Sequence, residues 1–199
     1  MLVAAATGAV ISVAAPRLAS AEARNPHFEA FATVSPFAAF LIGSDGHGPD
    51  AKGVVELGLG GAASYRLGRF FDLGLGLRYD YGRGDGASLH ALAAPLTATL
   101  VIPIGTEREL RAGVGLGPGL GLVPGYGEGD SALRVFGASG ELALGFAQRI
   151  RPSGLGLCLQ AGMRFDLLPE TNADPDDYLD GGQLIHVQVP FIRAGATWR

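Results

Sequence analysis

Few residues in this chain have the types and spacing that chemistry needs. Ser88 and His90 stand two apart, so on a strand both side chains leave one face. A serine and a histidine can run acyl transfer when an acid orients the imidazole. Asn172, Asp174 and Asp176 have the 1-3-5 spacing of a calcium loop. Asp177 then stands where that loop needs glycine, and Gln183 where it needs glutamate. The stretch reads as a solvated acidic loop. Gly113 to Gly121 is glycine-rich, but no helix follows it, so it is no phosphate loop. His27, His47 and His186 form no metal pattern, and one cysteine, Cys158, allows neither an intrachain disulfide nor a cysteine-rich metal site. The residues predict no catalytic group, cofactor or metal.

What remains is a set of charges on alternating strands. Phe71 to Tyr81 is the clearest case. Phe71, Leu73, Leu75, Leu77, Tyr79 and Tyr81 share one face; Asp72, Gly74, Gly76, Arg78 and Asp80 share the other. Period two means a strand with two different surroundings. The apolar face is aromatic at both ends, and the polar face is small in the middle. An apolar lipid face with aromatic girdles and a polar lumen gives a transmembrane barrel strand this shape.

Seven other segments repeat the pattern, at about 30–42, 53–67, 88–104, 109–123, 133–150, 154–168 and 184–198. In the first, both faces are apolar; Ala30, Ala32, Val34, Ala38, Phe40 and Ile42 are expected to face lipid. In the last, parity slips near Pro190, and a bulge there reconciles its halves. Connections alternate in length. Gly43 to Lys52, Gly82 to Ala87, Pro124 to Ser131 and Pro169 to Gln183 are long. Gly68-Arg69, Gly105 to Arg108 and Arg151 to Ser153 are short. Long outer loops and short periplasmic turns are the habit of outer-membrane barrels.

Composition agrees. Of 199 residues, 17% are charged and mean hydropathy is +0.27, yet no apolar run beyond the N-terminus is long enough for a helical span. Glycine is 32 of 199, far above the usual ~7%, with no collagen period. A net charge of -4 gives no reason to expect nucleic acid. Met1 to Ala21 reads as a secretory signal, with an apolar run from Leu2 to Ala15 and Ala19-Ser20-Ala21 before the cut. Residues 22–27 follow as a short periplasmic segment, and 28–199 as the barrel.

The rival fold is a soluble, lipocalin-like barrel with its apolar face inward. Three features favour lipid outside. Glycine suits a crowded lumen better than a solvated face. Tyr65, Phe71, Tyr79, Tyr81, Phe146, Phe165 and Trp198 gather at strand ends, as interface girdles require. Mid-strand apolar positions are mostly Leu and Val. The lumen then holds Glu56, Arg66, Asp72, Arg78, Asp80, Glu109, Arg111, Glu141, Arg149, Arg164, Asp166 and Arg193. Six acids face six arginines, the balance that buried ions demand.

Leu-Gly-Leu-Gly-Leu-Arg-Tyr-Asp-Tyr at 73–81 and Arg-Ala-Gly-Val-Gly-Leu-Gly-Pro-Gly at 111–119 resemble the small bacterial outer-membrane β-barrels of the OmpA, OmpX and OmpW kind. The ending from Pro190 to Arg199 is similar to their last strand, although Arg199 follows the aromatic Trp198. The resemblance implies an all-β, eight-stranded, antiparallel up-and-down barrel in the outer membrane. It implies contact with outer-membrane lipid and lipopolysaccharide, and with the barrel-assembly machinery during insertion. It carries over no functional residue, and Ser-x-His does not match the His-x-Ser order of lipid A deacylase barrels. The expected role is non-enzymatic, structural or surface-binding, in a monomer whose lumen is filled by arginine–acid pairs and glycine. A narrow pore is the alternative, ahead of a lipid-modifying enzyme.

Overall fold

The structure is a computed structural model that describes residues 26–44, 47–84, 86–124, 132–150, 154–169 and 183–198. The signal Met1–Ala21, the turn 151–153, the acidic stretch 170–182 and Arg199 lie outside the described residues.

Alternation produces nine strand segments: β1 His27–Ser44, β2 His47–Leu67, β3 Phe71–Gly84, β4 Ala87–Ala93, β5 Leu96–Ile104, β6 Arg108–Pro124, β7 Ala132–Arg149, β8 Gly156–Pro169 and β9 Gln183–Trp198. β4 and β5 are one stave, interrupted at Ala94-Pro95 because proline cannot donate to the ladder. Two bonds carry the ladder across the break: Gly76 N–H donates to Pro95 O at 2.9 Å, and Ala94 N–H to Pro118 O at 3.0 Å. Each neighbouring pair is antiparallel. β9 pairs with β1 from Phe28↔Trp198 to Gly43↔Gln183, which closes an eight-stave barrel and leaves no edge. Gly68, Gly86 and Gly105 sit at turns with φ of 67°, 74° and 75°, a region that glycine enters without strain.

The expected eight-stranded up-and-down barrel is the fold observed. Two expected loops are corrected. Gly43 to Lys52 is mostly ladder, with Ile42 opposite Asp50 and Ser44 opposite His47. Gly82–Ala87 is shorter than expected as a connection, because β3 runs to Gly84 and β4 starts at Ala87. Polar residues in both stretches hid strands that continue past the apolar band.

Parity in β1 is also corrected. Ala30, Ala32 and Val34 face outward as expected. A bulge between Ser35 and Ala38 then reverses the strand, and Ala38, Phe40 and Ile42 turn inward and are buried. Pro36 sits in that bulge, one of the few places a strand tolerates proline. β9 bulges beside it. Gly162 pairs with Phe191 and Arg164 with Gln188, so Met163 faces two residues, Val189 and Pro190.

Leucine lines the outside of the barrel. Leu59, Leu96, Leu116 and Leu144 are each at least 67% exposed, and every stave contributes an exposed apolar side chain. A soluble protein rarely shows so large an apolar surface, so the inside-out alternative of a soluble barrel is set aside. From Phe71 to Tyr81 is ten residues along one strand, a height of about 25 Å at the usual rise and tilt, the height of a membrane barrel's apolar band.

Candidate functional site: the filled lumen

Inward positions change character along the barrel. At the loop end, Phe40, Leu89, Val123, Val135, Leu168 and Leu184 are essentially unexposed and form one cluster with Ile42, Val54 and Leu133. They come from seven segments: β1, β2, β4, β6, β7, β8 and β9. This apolar plug was not expected. Its members hide in the sequence because the strands are apolar on both faces there, which is also why β1 was misread.

Below the plug, polar side chains face one another across the lumen. Arg164 on β8 donates to Asp166 at 2.8 Å, to Ser139 on β7 at 3.2 Å and to Asp80 on β3 at 2.5 Å. His186 on β9 bridges two carboxylates, with Nδ1 2.7 Å from Asp166 and Nε2 2.8 Å from Glu56 on β2. Gln188 donates to the second oxygen of Glu56. At mid-height, Arg78 and Arg193 both reach Glu141, each at 3.0 Å. Arg193 stacks 4.2 Å over the Phe31 ring, a cation–π contact in a desolvated place.

Toward the turn end, Arg66 forks onto Asp72 and approaches Glu109 at 3.4 Å. Arg111 joins Asp72 at 3.3 Å to Glu29 at 2.9 Å, and His27 Nδ1 is 3.7 Å from Asp72. A cavity of about 70 Å³ lies among Glu29, Asp72, Arg111, Gln160 and Arg193, roomy enough for a few waters. Two glycines make space for these charges. A Cβ on Gly58 would fall 2.1 Å from Asp80 Oδ1, and one on Gly115 would fall 2.8 Å from Glu141 Cγ.

Eleven of the twelve charges read from the sequence thus meet inside the barrel. Arg149 does not: it has inward parity, but at the last residue of β7 its side chain is exposed at the rim. Sequence reasoning missed Glu29, His27, His186 and Gln188. Glu29 lay one residue before the expected start of its strand. His186 and Gln188 alternate with Leu184 on one face, a signal the slip at Pro190 obscured.

The seven expected girdle aromatics all lie on the outside, Phe146 half-buried and the rest exposed. Tyr65, Phe71, Phe146 and Trp198 are near the turn end; Tyr79, Tyr81 and Phe165 are nearer the loop end. His90 Nδ1 lies 2.7 Å from the Tyr79 hydroxyl on that outer surface. Among the described residues, His90 has the Tyr79 hydroxyl and no carboxylate as its side-chain hydrogen-bond partner.

No protein-family model matches the chain, and no curated protein does. Solved structures do. The chain is similar to neisserial surface protein A, at 14% identity and a TM-score of 0.53, covering 89% of this chain and 99% of that one. It is equally similar to the outer membrane protein OprG from Pseudomonas aeruginosa, at 14% identity and a TM-score of 0.53, covering 88% and 96%. The fold is that of the small bacterial outer-membrane β-barrels. The expectation of a barrel of the outer-membrane fold, drawn from strand alternation, connection lengths, girdle aromatics and the resemblance, stands.

Proposed function

We propose that this outer-membrane barrel is a closed, non-enzymatic envelope protein, which acts through its membrane surface and its outer loops rather than by passing solute. The observation that carries this reading is the double filling of the lumen. An apolar plug lies over a layer of paired charges, and Phe40, Leu89, Leu184, His186 and Gln188 are at zero exposure. Eight strands leave an interior just wide enough for side chains, and here large ones occupy it. The chemistry of the outer surface agrees, because the Ser88–His90 pair has a tyrosine partner and, among the described residues, no acid.

Planar-bilayer recording tests the reading. The purified barrel is expected to give no conductance steps up to the voltage at which the bilayer fails. Discrete steps that scale with salt would overturn it in favour of a narrow pore. Mass spectrometry of lipid A from cells with and without the gene is expected to show one acyl pattern; a lost or added chain would make the protein an enzyme.

A further inference from the structure

The two bulges meet at the barrel seam. Ser35 on β1 donates through its hydroxyl to the carbonyl of Pro190 on β9 at 3.1 Å. Between Val34↔Ile192 and Ala38↔Gln188 the two strands have no paired residues. Bulges re-aim side chains and gather beside functional sites. Here they turn Phe37 and Val189 outward, and Phe37 is 73% exposed, more than any other large apolar residue described.

Phe37 and Val189 wall a groove of about 390 Å³ on the outer surface. It runs across β9, β1, β2 and β3. Ala39 and Gly53 form its low floor, Val55 its far wall, and Arg83 its edge. Register fixes its height. Val55 lies opposite Arg83, one outward-facing step beyond the pair Leu57–Tyr81, about 5 Å toward the loops at the usual rise and tilt. The groove therefore begins where the outer aromatic girdle ends. Arg83 is exposed there and, among the described residues, has no acidic partner.

An apolar groove at that level with one cation at its lip complements a lipid whose chains lie below a phosphate. Arginine's planar fork suits phosphate better than an ammonium does. In an outer membrane the leaflet on the loop side is built of phosphorylated, multiply acylated glycolipid. We propose that this groove docks one such glycolipid, with the headgroup-proximal end of an acyl chain against Phe37 and Val189 and a phosphate on Arg83. This rests on the outer-membrane reading above and adds a site and a lipid class to it.

Native mass spectrometry of the full-length barrel, refolded in detergent with lipid A or with phosphatidylglycerol, tests the site. One retained lipid A per barrel is expected, with phosphatidylglycerol largely stripped. Arg83→Gln should lower retention about tenfold, a charge-assisted contact's worth. Ala39→Leu, which fills the floor, should do the same. Arg134→Gln, exposed on β7 away from the groove, should change nothing. Retention as high as the parent's in Arg83→Gln and Ala39→Leu, equal retention of both lipids by the parent, or no retained lipid would overturn the site. The unboiled gel mobility of each sample separates the two readings. A chain that forms no compact, heat-modifiable species refutes the membrane barrel itself, and with it the site.

Discussion

Arg164 shows what a single residue contributes in a lumen with little water. Its guanidinium is 1% exposed and touches Asp80, Asp166 and Ser139. Arg164→Met would leave carboxylates with fewer counter-charges in a place that cannot hydrate them. Breaking one partner of such a buried set costs about 3–5 kcal/mol. Urea unfolding in detergent micelles should show that loss, while Arg149→Met at the rim should stay within about 0.5 kcal/mol of the parent. Comparable losses from both would mean that the ion pairs contribute little beyond shape. The charges themselves were legible because each sat in a clear period-two pattern. Glu29, His186 and Gln188 were not, because a bulge or a strand boundary stood between each of them and the pattern that would have revealed it.

Strand elements follow a simpler rule, in which depth in the bilayer decides the cost of a change. Leu75 on β3 lies near the middle of the apolar band, and Tyr81 near its outer edge. Leu75→Arg should cost about 2–4 kcal/mol and Tyr81→Arg about 0–1, the usual fall from midplane to interface. Equal costs would place the band elsewhere. The β1 bulge makes a sharper prediction. Nitroxide labels at Phe37→Cys and Ala38→Cys, each with Cys158→Ser, should differ strongly in collision with lipid-dissolved oxygen, high at 37 and low at 38. A reversed order would restore the parity first read from the sequence. That reading failed because Phe37, Ala38, Ala39 and Phe40 carry no polar residue to mark a face. Where faces differed in polarity, as from Phe71 to Tyr81, every side was assigned correctly.

For the whole molecule, plug and charge layer close the same bore independently. Phe40→Ala should therefore lower stability by about 3–5 kcal/mol, the usual cost of emptying a large buried ring, and still give no conductance. Steps in that variant would show that the plug alone seals the barrel. The charge layer also has a bearing on how the chain is made. Its pairs join residues far apart in sequence: Glu56 to His186, Asp80 to Arg164, Glu141 to Arg193. The last stave supplies His186, Gln188 and Arg193, and the first supplies His27 and Glu29. Until the final strand is in place, Glu56 lacks two of its partners and Glu141 lacks one. A half-built sheet therefore carries Glu56 without its hydrogen-bond partners and Glu141 with Arg78 but not Arg193, which a hydrocarbon interior disfavours, and the finished cylinder supplies both sets. Closing the seam and entering the membrane become one event, and the order of synthesis guarantees that the strand completing the charge balance arrives last.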